Sequence, residues 1–162
     1  MNNLIPNQQL IYPIIFFPKC APDEVYLSID NRVVKNVIPA RYFISNYGNI
    51  YDCKLNQIMP THFNKIYNPD GTNSGYLVTK LAYYIDNNYD KLFHKDVYIH
   101  RVVMLMFNYI PGCEYLEVNH IDGIKTHNWL SNLEWVTSKQ NIDHAIRSGL
   151  IKKFAKIIPM HL

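Results

Sequence analysis

The chain has 162 residues, 48% of them apolar and 14% aromatic, enough for one ordinary domain or two small modules sharing a core, and this composition excludes global disorder. A formal charge of +3 identifies no partner by itself, no apolar run reaches the length of a membrane span, and residues 11–17 are too short, broken by Pro13 and without a basic flank, to read as a signal peptide. Cys20, Cys53 and Cys113 are odd in number and scattered, which argues against a disulfide framework or a zinc knuckle and fits an intracellular, reducing compartment.

Residues 1–38 read as an N-terminal extension. Pro6, Pro13, Pro18 and Pro22 break any long element, and short extended pieces are expected at residues 24–29 and 32–34, joined by a turn at Asp30-Asn31. Residues 39–98 read as a small antiparallel sheet. A strand at 42–44 turns at Ser45-Asn46-Tyr47-Gly48 into a return strand at 49–52, with Gly48 supplying the positive φ of a tight turn. A turn-rich loop at 68–75 leads to a strand at 76–84, and Asp86-Asn87-Asn88 opens a further hairpin. Residues 100–107 are apolar nearly all round, which predicts a buried helix stopping before Pro111-Gly112. A short strand at 116–118, a polar loop at 119–131 and a strand at 133–136 follow. Thr137 or Ser138 then caps a helix running to about Arg147, stopped by Gly149. Residues 151–162 form a basic tail. After Asp143 no acidic residue remains, while Arg147, Lys152, Lys153 and Lys156 accumulate, as a phosphate-tracking segment or a solvated helix end.

The chemistry concentrates between Val118 and Thr137. His120 closes a strand, a long loop follows, and the returning strand leads to a helix carrying Asn141 and His144 on one face. Phosphodiester hydrolysis needs a base for water, a cation to neutralise developing charge, and stabilisation of the leaving oxygen. Histidine titrates near the working pH, and asparagine carbonyls are hard oxygen ligands suited to Mg²⁺ or Mn²⁺.

The stretch Asn119-His120-Ile121-Asp122-Gly123 … Asn132-Leu133-Glu134-Trp135-Val136-Thr137 … Asn141 resembles the signature of HNH (ββα-metal) nucleases of the phage and intron-encoded homing type. Ile99-His100-Arg101-Val102-Val103 is similar to that group's preceding helix. Tyr42-Phe43-Ile44-Ser45-Asn46-Tyr47-Gly48-Asn49-Ile50-Tyr51 resembles a nuclease-associated modular motif. Together these cover residues 39 to 149. The resemblance implies an α+β fold with an N-terminal antiparallel sheet region followed by a ββα-metal finger at residues 99–150. It implies His120 as general base, Asn119 and Asn141 as ligands of one divalent cation, Mg²⁺ or Mn²⁺, and Asn132 as the side chain that pins the loop and orients His120. His144 stands as a secondary ligand, a phosphate contact or a packed ring. Lys125, Lys139, Lys152, Lys153 and Lys156 are candidate DNA phosphate contacts, and Asn128 reads as a loop-former without chemistry. Two departures stand out: neutral Asn119 where relatives with an acidic first ligand carry Asp, and His127 where many carry Asn. Homing enzymes often append a DNA-reading module, and the thirteen residues after Gly149 are too few for a helix-turn-helix.

The expected function is therefore divalent-metal-dependent DNA cleavage by a homing or site-preferring endonuclease. The alternatives are a nonspecific HNH nuclease or a non-catalytic DNA-binding protein that kept the fold. DNA is the expected partner, and a membrane is not. One finger holds one site, so double-strand cleavage would need a homodimer or two successive nicks.

Overall fold

The computed structural model describes residues 17, 21–66, 75–85 and 88–150. The turn read at Ser45–Gly48 sits where expected. Gly48 has φ +86°, its N–H donates to the Ser45 carbonyl at 3.0 Å, and Ser45 Oγ accepts the N–H groups of Tyr47 and Asn49. This turn joins β2 (Tyr42–Ser45) to β3 (Ile50–Asp52). With β1 (Tyr26–Ser28) and β4 (Gln57–Ile58) they form a four-stranded antiparallel sheet in the order β1-β2-β3-β4. The extended piece expected at residues 32–34 is instead a run of turns. Asp30 Oδ1 accepts the Arg32 N–H at 2.9 Å and the carboxylate is gripped by the Arg32 guanidinium, an Asx turn that bends the chain before Val34 drops into the core.

The single sheet expected over residues 39–98 is two. β5 (His62–Phe63), β6 (Leu77–Ile85) and β7 (Asn88–Tyr98) make a second antiparallel sheet. An isolated bridge between Val37 and Tyr83 links the second sheet to the segment before residue 39. Pro60 explains the break: it has no N–H to offer a ladder, and it stands between β4 and β5, each only two residues long. Residues 67–74 and 86–87, within the expected loop and turn, lie outside the described residues, as do the tail and its lysines.

Helix α1 (Ile99–Phe107) is covered on most sides, as its apolar circumference requires. Ile99, His100, Val102, Val103, Met104 and Met106 are all buried. Next, β8 (Glu117–His120) pairs antiparallel with β9 (Leu133–Val136). The strand read at 116–118 thus runs on through His120, setting Asn119 opposite Glu134 and His120 opposite Leu133. Helix α2 (Ser138–Arg147) starts at a capping box in which the Thr137 side chain accepts the Gln140 N–H and Gln140 Oε1 accepts the Thr137 N–H at 2.8 Å. One continuous core runs from Ile29, Val34 and Val37 through Tyr42 and Leu81 to Met104, Val118 and Leu133, so the segment before residue 39 packs into the same core as the finger. No helix among the described residues is long and apolar enough to cross a membrane.

His100 carries a stability cost into this core. It is 8% exposed, and its Nδ1 has no hydrogen-bond partner among the described residues. Burial, then the neighbouring His120, Arg101 and Lys125, push its pKa down from 6.5 to about 3. Between those values the unfolded chain takes up a proton that the folded chain refuses. Stability is therefore full above pH 6.5 and declines as pH falls, by about 2 kcal/mol at pH 5 from this group alone. Thermal melts should show a lower midpoint at pH 5 than at pH 7.5, and His100→Phe should narrow the gap. An unchanged gap would place the acid sensitivity elsewhere.

Candidate active site

His120 ends β8 only 4% exposed, and burial pushes its pKa below the ordinary imidazole value, with partial compensation from a hydrogen bond to Asn128. The ring is therefore neutral at neutral pH. Its Nε2 lies 3.0 Å from Asn128 Oδ1, and the Asn128 amide nitrogen donates to the Thr126 carbonyl at 3.3 Å. With the amide so oriented, only its oxygen faces His120, and Nε2 must carry the proton it donates. That leaves Nδ1 unprotonated, with no hydrogen-bond partner among the described residues, on a ring that lines a cavity of about 210 Å³. Such a nitrogen is a base.

Asn128 is itself held from the N-terminal sheet. A Cβ built on Gly48 would stand 2.9 Å from Asn128 Cβ and 3.2 Å from its carbonyl oxygen, so the β2–β3 turn packs directly on this residue. Next to it, the Leu130 N–H donates to the Asn46 carbonyl at 2.8 Å. The modular motif and the finger are thus one packed unit at the point that orients the histidine.

Asn132 bonds across the loop and, among the described residues, its side chain shows no hydrogen bond to His120. Its Oδ1 accepts the Asp122 N–H at 3.1 Å, and its Nδ2 donates to Asp122 Oδ1 at 3.0 Å and to the His127 carbonyl at 2.9 Å. Asp122 also accepts the Ile124 N–H and the His127 ring nitrogen. Desolvation alone would raise its pKa, yet the hydrogen bonds from Ile124, His127 and Asn132 together outweigh it and hold the carboxyl at about 2. His127, which replaces the Asn of many relatives, is thereby tied to Asp122 and stacked on Trp129 at 4.5 Å.

The same cavity is lined by Asn119, His120, Lys125, Asn141 and His144, so both expected ligand positions share it with His120. Asn119 Nδ2 donates to Glu134 Oε1 at 2.8 Å, and Asn141 Nδ2 donates to Glu117 Oε2 at 2.6 Å. Two amide oxygens with their nitrogens tied elsewhere fit a hard divalent cation. His144 Nε2 lies 3.2 Å from the Ile121 carbonyl, a bond that ties α2 to the end of the hairpin. The Lys125 ammonium sits 4.6 Å from the centre of the Tyr76 ring, which lies nearly parallel to His120 at 6.0 Å. Lys139 is exposed on the first turn of α2 and does not line this cavity.

Sequence reasoning missed Asn128, Glu117, Glu134 and Tyr76. Glu117 had a signal, since it shares a face of β8 with Asn119 two residues on. Glu134 follows from the β8–β9 register. Nothing local to Asn128 or Tyr76 announces a contact with His120.

A strand ending in histidine, a pinned polar loop, a return strand and a helix presenting asparagine into one cavity is the order matched by the family model for HNH endonucleases, over residues 97–142. The chain carries an HNH endonuclease domain. Two proteins of Acanthamoeba polyphaga mimivirus, each named an uncharacterized HNH endonuclease, are similar to it. One is 37% identical over 117 residues, covering 72% of this chain and 30% of its own length. The other is 36% identical over 113 residues, covering 68% and 24%. The SPbeta prophage-derived protein YosQ of Bacillus subtilis (strain 168), named for an HNH homing endonuclease, is 48% identical over 54 residues, covering 33% of this chain and 30% of its own. The chain therefore spans less than a third of the length of these HNH relatives. The solved structure of the HNH homing endonuclease I-HmuI matches with a TM-score of 0.56 at 24% identity, covering 80% of this chain and 62% of that one. That likeness shows the α+β fold, antiparallel sheets followed by the strand-strand-helix finger.

Proposed function

We propose that the chain is a divalent-metal-dependent DNA endonuclease of the homing or site-preferring kind, acting inside a reducing compartment. The observation that carries this reading is a neutral, buried His120 whose Nε2 is committed to Asn128, in a cavity shared with Asn119 and Asn141. His120 Nδ1 takes a proton from water as the water oxygen forms its bond to phosphorus. The bond from phosphorus to the departing nucleotide oxygen then breaks, and that oxygen gains a proton. Asn119 and Asn141 would hold one Mg²⁺ or Mn²⁺ through their amide oxygens. Bound there, the cation supplies charge neutralisation at the phosphate and the departing oxygen.

Asn128 keeps the ring in the tautomer that leaves Nδ1 free, and Asn132 keeps the loop that carries Asn128 from relaxing. His144 closes the far side of the cavity by its bond to Ile121. Lys125, beside the cavity, is the described lysine best placed for a phosphate, with Lys139, Lys152, Lys153 and Lys156 as outer contacts to the same backbone. The site-preferring reading draws on the homing endonucleases among the similar proteins.

Supercoiled plasmid tests the function. Incubation with Mg²⁺ or Mn²⁺ should convert it to nicked or linear forms, EDTA should stop the conversion, and Zn²⁺ should support it poorly. Sequencing the ends made from mixed genomic DNA should show a preferred site. Plasmid that stays supercoiled with both Mg²⁺ and Mn²⁺ would contradict the reading, and ends scattered at random would favour a nonspecific nuclease.

A further inference from the structure

The two amides assigned to the cation are both fixed by carboxylates. Asn141 on α2 donates its Nδ2 to Glu117 Oε2 at 2.6 Å, and the other oxygen of Glu117 accepts Ser138 Oγ at 2.5 Å. Asn119 on β8 donates its Nδ2 across the ladder to Glu134 Oε1 at 2.8 Å. An ionised carboxylate only accepts, so neither amide can turn its oxygen toward its glutamate. An amide is planar and its two ends point apart. Tying down the nitrogen therefore decides where the oxygen goes.

We propose that Glu117 and Glu134 are positioning residues for the cation, orienting the amides of Asn141 and Asn119 so that oxygen rather than NH₂ is offered to the metal. The inference rests on the reading of Asn119 and Asn141 as the ligands. It answers a chemical difficulty of this site. An asparagine ligand is nearly symmetric in shape, and with the wrong end turned inward it presents a donor that repels a cation. A carboxylate ligand has no wrong end. A chain that uses Asn at both positions therefore needs something to break the symmetry, and the hairpin supplies one carboxylate for each amide. The arrangement also supplies charge. Two neutral ligands leave the cation uncompensated by protein, and carboxylates accepting from the ligands themselves bring negative charge one bond further out while strengthening the amide oxygens as ligands. Both oxygens of Glu117 are engaged, by Asn141 and by Ser138, as a positioning group requires.

The test is Mn²⁺ binding, read by electron paramagnetic resonance on the full chain in complex with DNA. A His120→Ala background keeps the DNA intact. Glu117→Gln should weaken Mn²⁺ about tenfold or more, because Gln can either accept from the Asn141 NH₂ or donate to the Asn141 oxygen and so no longer holds the amide one way round. Adding Asn141→Asp to Glu117→Gln should restore affinity to within about threefold of the background protein, since an aspartate needs no orienting and can accept from the new amide. A role confined to stapling α2 to β8 would not be rescued in this way. Glu134→Gln gives an independent reading at Asn119 from an exposed strand position that the core does not need. Unchanged Mn²⁺ affinity in both glutamine variants, or failure of Asn141→Asp to rescue, would overturn the proposal. Unchanged affinity in Asn141→Ala would instead overturn the ligand assignment beneath it.

Discussion

His120→Ala should slow DNA cleavage by about two to four orders of magnitude while changing DNA affinity little, because a positioned general base contributes roughly that much to a proton transfer. The residue is 4% exposed at the end of β8, so its truncation opens space at the wall of the cavity and leaves Lys125 in place. Asn128→Ala should cost less. It frees the ring to adopt either tautomer but leaves a neutral base present for part of the time. Single-turnover cleavage of a plasmid by equal amounts of each variant measures both. Cleavage by His120→Ala within threefold of the unaltered chain would remove His120 from the mechanism.

Gly48→Ala should disturb the proposed active site from outside the finger. At φ +86° an L residue costs about 1–2 kcal/mol, and the new methyl would stand 2.9 Å from Asn128 Cβ, an overpacking that adds about 1–3 kcal/mol. In a chain of this size the melting midpoint should fall by roughly 5–15 °C. Asn128 must shift to make room, so the protein that remains folded should also cut more slowly. Gly112→Ala is the control. It has a similar φ of +84° with nothing within 4 Å of the added carbon, so it should cost only the backbone strain and leave cleavage unchanged. Equal cleavage by the two variants at a temperature where both are folded would mean that the β2–β3 turn does not position the histidine.

The finger was legible because its signals are local. The all-round apolar stretch of α1, the hydrophobic strand at 133–136 and the Thr137 cap each follow from a few neighbouring residues. His120, Asn119 and Asn141 were singled out through the resemblance, and the structure places all three on the wall of one cavity. What escaped depends on residues far apart in the chain. Asn128 is eight residues from His120 with a turn-rich loop between them, and no periodicity says that its oxygen meets Nε2. The two-residue strands β4 and β5 are too short to carry a pattern, and the split into two sheets turns on Pro60. The turn at Asp30 overrode the strand preference of Val33 and Val34 through a side-chain hydrogen bond.

The proposed cleavage step depends on one nitrogen, Nδ1 of His120. Nitrogen-detected NMR of histidine-labelled protein, with His120 assigned by its loss in His120→Ala, reads the state of both ring nitrogens directly. The expected result at pH 7 is a neutral ring with the proton on Nε2 and a bare Nδ1. Since burial lowers its pKa, the ring should take a second proton only below the 6.5 of a free imidazole. A ring carrying its proton on Nδ1, or doubly protonated at pH 7, would contradict the account, because no lone pair would then be left to take a proton from water.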